Sequence, residues 1–182
     1  EQRFRRDPRR ALELYTRALT RDPNRVSWIV AADLFQSLDG DEAALAFMNN
    51  LLEKSKTPAA RNGILARLAD NAGDYGEAAR LFALSLSSEP MQPRLRENYF
   101  KTLVRLGRIE DAQAEAEWFS ARIAAGDPVL RSYLAEMWSS LGEDEKALDL
   151  WQMLHLGTPD LPYYALETAR SLFRLCDPQG AV

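Results

Sequence analysis

The stretch Gly73–Pro90, GDYGEAARLFALSLSSEP, reads as one helix with both ends marked. Gly73 can take the left-handed conformation that closes a preceding helix. Asp74 can cap the next one, and Glu77, three residues on, is placed to complete a capping box. Ala78, Phe82 and Leu86 recur at i, i+4 and i+8, with Leu81 and Ser85 beside them, so one apolar stripe runs along the helix. Pro90 ends it.

The same template recurs along the chain. A step of 34 residues carries Ala78 to Ala112 and Gly73 to Gly107, and a step of 35 then reaches Ala147 and Gly142. Towards the N-terminus it lands on Ala44 and Ala11. A large residue stands four places after most of these alanines, as Tyr15, Met48, Phe82 and Trp151; Ala116 departs from the rule. A repeat of this length accounts for the whole chain. It resembles the tetratricopeptide repeat family, in which two antiparallel helices touch through small residues, with a Gly or Asp at the inner turn and a Pro at the outer one. The resemblance implies an all-α, right-handed superhelical solenoid of helical hairpins, running as a single domain over residues 1–182. Partial repeats are expected at 1–24 and 162–182, with full repeats at 25–58, 59–92, 93–127 and 128–161.

The helices follow from stripes and breakers. They are expected near Pro8–Arg21, Val26–Leu38, Asp41–Lys54, Ile109–Ile123 and Tyr163–Leu175, with others starting after Pro58, Pro93 and Pro128. Trp28, Ala31, Ala32 and Phe35 form one contact stripe, answered by Ala44, Met48, Leu51 and Leu52. In the third repeat Trp118 and Phe119 are expected to recover the volume that Ala116 gives up. Gly63 is the one glycine placed inside a helix, at a cost of about 1 kcal/mol relative to Ala, which close packing would explain.

Composition excludes several functions. Of 182 residues, 27 are acidic and 23 basic, a formal net charge of -4, so the basic excess that non-specific nucleic-acid binding draws on is lacking. A single cysteine, Cys176, makes neither an intramolecular disulfide nor a multi-thiolate metal site. No apolar run approaches a membrane span, and the opening EQRFRRDPRR is too charged for a signal sequence. The missing initiator Met and the incomplete repeats at both ends point to a segment of a longer array, so compartment stays open between periplasm and cytoplasm, with the periplasm preferred. The sole histidine, His155, ends a helix between leucines and reads as structural. Acidic runs such as Glu143-Asp144-Glu145 sit where helix N-termini favour carboxylates. No catalytic constellation, cofactor motif or metal-ligand spacing emerges, and the chain reads as a non-enzyme.

Function is therefore sought on the concave surface. The family resemblance implies a groove approached by Val26, Ile29 and Asp33, then Arg67 and Asn71, then Arg94, Glu97, Lys101 and Arg105, then Ser132 and Glu136. Its centre is basic, so Arg67, Asn71, Arg94, Glu97, Lys101 and Arg105 are the expected partner-binding residues, and the expected partner is a protein or peptide with an acidic surface. The Lys and Asn pattern with which one subgroup grips chaperone C-termini is absent: Ile29 and Asp33, Gly63 and Arg67, and Glu97 and Lys101 hold those places. The Ala-, Arg- and Leu-rich texture is similar to the periplasmic repeat arrays of bacterial exopolysaccharide export and secretion proteins. The alternative is an array appended to an enzyme such as a glycosyltransferase. Truncation would bare one face of the last helix, expected at Tyr164, Thr168, Leu172 and Leu175, and any dimer through it would be a product of the cut.

Overall fold

A computed structural model describes residues 7–23, 28–123 and 127–176. Among them are ten α-helices and no strand: α1 (Pro8–Arg21), α2 (Trp28–Asp39), α3 (Asp41–Lys54), α4 (Pro58–Asn71), α5 (Tyr75–Ser88), α6 (Pro93–Arg105), α7 (Ile109–Ser120), α8 (Pro128–Ser140), α9 (Asp144–Gly157) and α10 (Pro162–Cys176). The start expected at Val26 lies outside the described residues. Helix α7 is shorter than expected, ending at Ser120, because the Arg122 N–H turns to the Phe119 carbonyl three residues back and the Trp118 carbonyl accepts instead from Arg122 Nη1 at 3.2 Å. The chain forms two compact units, Glu1–Thr102 and Leu103–Val182.

In the first unit the outer turns are set by proline and a capping side chain. Asp7 accepts from the Arg10 N–H at 3.1 Å and Thr57 from the Ala60 N–H at 3.3 Å, each just before a Pro at the first helical position. The inner turn after α4 places Gly73 at φ +81°. There the Asp74 N–H reaches back to the Ala69 carbonyl at 2.9 Å, which satisfies a carbonyl the helix end would otherwise strand. Asp74 then caps α5 by accepting from the Glu77 N–H at 3.1 Å. The expected capping box is only half made: the Glu77 carboxylate turns to Arg80, whose guanidinium Nε lies 2.7 Å away, and the Asp74 N–H is already bonded to Ala69.

Pairing is antiparallel and tight. Helices α4 and α5 meet across Ala66, Ala78 and Phe82, all with no exposed surface. A Cβ at Gly63 would lie 3.3 Å from Ser85 Oγ, 3.3 Å from Trp28 Cζ2 and 3.4 Å from Leu95 Cδ1, so the glycine marks a point where three neighbours converge. Ser85 is itself fully buried and donates to the Ala59 carbonyl at 2.7 Å, which joins the two helices by a satisfied polar contact. Between α2 and α3, Phe35 packs on Phe47 with centroids 4.8 Å apart.

In the second unit the turns after Leu106 and Leu141 repeat the device, with Gly107 at φ +70° and Gly142 at φ +75°. Ala112, Ala116, Phe119, Ala135, Ala147 and Trp151 are fully buried. Phe119, rather than Trp118, supplies the bulk beside Ala116; Trp118 is half-buried with the Arg122 guanidinium 4.3 Å above its ring. Helix α9 packs between α8 and α10. The bare face expected on α10 is displaced from the expected residues. Tyr164 stacks on Trp151 with centroids 6.1 Å apart, Thr168 is half-buried and Ser171 is fully buried, so this stripe is the packed one. Leu172 and Leu175 are exposed as expected, and Leu166 and Phe173 join them on the open side, at 50% and 67% exposure.

Candidate functional site

The strip expected to recognise a partner is built in the first unit, by one face each of α2, α4 and α6. These helices are the first members of successive hairpins, so residues one repeat apart come into register: Asp33, Arg67 and Lys101 stand at intervals of 34. The side chains form a chain of contacts. The Arg67 guanidinium donates through Nη2 to Asp33 Oδ1 at 3.0 Å and through Nη1 to Asn98 Oδ1 at 3.2 Å. Next to Asn98 on α6, Glu97 is clasped from both sides, accepting from Arg94 Nη1 at 3.0 Å and from Lys101 Nζ. A turn farther along, the Thr102 hydroxyl lies 2.9 Å from both Asp70 Oδ1 and the Asn98 carbonyl oxygen.

Burial separates the roles of these groups. Glu97 is 4% exposed and Asp70 8%, so both are internal: Glu97 is the counter-charge of Arg94 and Lys101, and Asp70 receives the Thr102 hydroxyl. The side chains of Arg94 and Lys101 are 38% and 48% exposed; that of Arg67 is 16% exposed. Thus Arg94 and Lys101 carry the open cationic surface, while Arg67 braces the strip from below. A buried carboxylate between two half-exposed cations fixes their direction, because leaving it unpaired would be costly.

Asp33 has its pKa raised above the ordinary carboxylate value, first by burial, with Arg67, Arg94 and Lys101 pulling it the other way and Glu97 adding to the rise. Its charge is therefore lost at a higher pH than that of an ordinary aspartate.

The other expected residues scatter. Ile29 is 1% exposed and belongs to the core beside Trp28, where an aliphatic side chain has no reason to stay in water. Val26 lies outside the described residues. Asn71 is exposed and lines a shallow hollow with Gln36, Asp41 and Leu45. Arg105 falls in the second unit, on the last turn of α6, and is exposed. Also in that unit, Ser132 and Glu136 are half-buried, and Glu136 accepts from the Tyr163 hydroxyl at 3.0 Å.

Sequence reasoning missed Asn98. Its Oδ1 is held by Arg67, which fixes the amide orientation, and its Nδ2 is buried with no acceptor. The signal was present in the spacing, since Asn98 is adjacent to Glu97 on the same helix, but nothing in one helix shows that Arg67 of another will orient it. No group of three or more His, Cys, Asp or Glu is arranged to hold a metal ion among the described residues, and none of their helices is long and apolar enough to cross a membrane.

No protein-family profile matches the chain, and no curated protein does. Solved structures do. The thermophilic tetratricopeptide repeat protein TTC0263 of Thermus thermophilus aligns at a TM-score of 0.60 with 21% identity, covering 91% of each chain. A tetratricopeptide repeat protein of Parabacteroides merdae aligns at 0.61 with 17% identity, over 91% of this chain and 64% of its own. YrrB, a tetratricopeptide repeat protein with an unusual peptide-binding site, aligns at 0.53 with 19% identity, over 94% of this chain and 88% of its own. The fold is the tetratricopeptide repeat. In the terms of that fold, α2, α4 and α6 are A helices, α3 and α5 are B helices, and the Asp33–Arg67–Asn98 contact runs across three A helices.

Proposed function

We propose that the chain is a non-catalytic protein-interaction scaffold which binds an extended acidic segment along the A-helix strip of its first unit. The observation that carries this is the pair of half-exposed cations, Arg94 and Lys101, both held in direction by the buried Glu97 carboxylate between them. These cations supply charge for the acidic side chains of a partner. YrrB, with its peptide-binding site, is a precedent for a peptide ligand on this fold. Asn71, four residues beyond Arg67 on its helix, extends the same reading.

Asn98→Asp is the discriminating variant. It keeps an oxygen for Arg67 but adds a negative charge on the helix that carries Arg94 and Lys101, so a short fluorescein-labelled Asp/Glu-rich peptide should bind about tenfold or more weakly, with the helical circular-dichroism signal retained. Charge reversal at Arg94 and Lys101 should have the same effect, and wild-type binding should weaken as salt rises. Binding that is flat across ionic strength and indifferent to both variants removes the strip as the site.

The finer reading sets this scaffold in the periplasm, as part of an exopolysaccharide export protein. Its support is the texture of the sequence, and a full-length reading frame with a signal sequence and an outer-membrane barrel is the test. A catalytic domain in that frame would instead support the enzyme-linked array.

A further inference from the structure

The second unit holds a different surface. An open cavity of about 470 Å³ lies between the C-terminal end of α7, α8 and the first half of α9. Leu134 and Trp138, one turn apart on α8, and Leu150 of α9 give it an apolar lining. Lys146 also lines it, but its ammonium is already engaged, 4.2 Å from the Trp138 ring centroid and 3.2 Å from Glu143 Oε2. The charges left at the rim are Glu117 and Asp149, both exposed. Glu117 receives an amide hydrogen from Gln113 at 3.1 Å, and Asp149 has neither an ion pair nor a hydrogen bond among the described residues.

The surroundings share that sign. Helix α7 carries Glu110, Asp111, Glu115 and Glu117 and no Lys or Arg. Over residues 103–182 there are 13 acidic against 7 basic side chains, whereas residues 1–102 have 14 against 16. An apolar hollow between carboxylates, in an acidic unit, is complementary to one kind of ligand.

We propose that this cavity is a second docking site, for a partner segment in which a large apolar side chain is flanked by Lys or Arg. The apolar side chain fills the hollow over the half-buried Leu150, with the buried Leu134 and Trp138 beneath it, and the area it removes from water gives the affinity. The flanking cations meet Glu117 and Asp149, which set orientation and exclude acidic segments. The site therefore selects the opposite charge to the strip of the first unit and does not depend on it.

The test uses the whole chain, isotopically labelled, titrated with a peptide of alternating Lys and Leu and, separately, with its Lys/Gly and Asp/Leu counterparts. The Lys/Leu peptide should shift the Trp138 indole N–H and the Asp149 amide, and the other two should leave them in place. Glu117→Lys with Asp149→Lys should weaken Lys/Leu binding by about tenfold without lowering the melting temperature, since both side chains are exposed. Equal binding of the Lys/Gly peptide would show that the cavity contributes nothing. Shifts confined to other residues, absence of binding, or indifference to the double reversal would each overturn the proposal.

Discussion

Gly63 shows how a single residue's cost and reason sit on different levels. In the helix alone, Ala would be better by about 1 kcal/mol. Against Ser85, Trp28 and Leu95, all within 3.4 Å of the added carbon, Gly63→Ala overpacks a three-way contact; at about 1–3 kcal/mol for such strain, the variant should melt below wild type. A higher melting temperature would mean the neighbours yield and that the close approach is incidental. Ala78→Leu, at a fully buried site between α4 and α5, should be destabilised by about 1–3 kcal/mol in the same way, measured by denaturant unfolding. Asp33 gives a pH prediction. Because its native pKa is raised above 3.8, its contribution to folding is fully present below that value and is lost as pH rises through the native one. For binding, protonation removes one carboxylate from a strip where Asp33 and Glu97 face Arg67, Arg94 and Lys101. A sulfated peptide, which stays anionic throughout, should therefore bind more tightly to wild type as pH falls into that range, and Asp33→Asn should flatten the response. A wild-type profile without that rise would place Asp33 outside the recognition strip.

At the scale of elements, the helices are set by their ends more than by propensity. Asp127 accepts from both Val129 N–H at 2.9 Å and Leu130 N–H at 3.2 Å, just before Pro128 opens α8. Asp127→Ala should cost about 1 kcal/mol, read as a lowered unfolding midpoint, because two orphan donors lose their acceptor. The inner turns rely on backbone conformation instead. Gly142 sits at φ +75° with open space around it, so Gly142→Ala is strained by its dihedral and not by a clash, at about 1–2 kcal/mol. If that variant melts with wild type, the turn has another low-energy form. The boundaries of α1 and α3 were legible in the sequence to the residue, since Asp-Pro, Ser and Gly are local signals. The end of α7 was not, because Ser120 and Ala121 carry no breaker.

Across the whole molecule, a net charge of -4 conceals two units of different sign. If each uses its own surface, reversing Arg94 and Lys101 should abolish the acidic-peptide response and leave the Lys/Leu response intact, and reversing Glu117 and Asp149 should do the converse. Titration of both variants with both peptides checks this, and loss of both responses together would point to one shared site. The repeat itself was fully legible, because each hairpin must bury one stripe and the 34-residue spacing of Ala44, Ala78 and Ala112 repeats that stripe in the open. Which charges pair was not. The sequence by itself determined the helices, their turns and the small residues between them, because these depend on neighbours within a few residues or one repeat away. Only the tertiary structure decided that Glu97 is buried between Arg94 and Lys101, that Arg67 orients Asn98, and that Tyr164 faces Trp151 while Phe173 faces out. These follow from how side chains of different helices share space and water, and a periodic pattern carries no record of that.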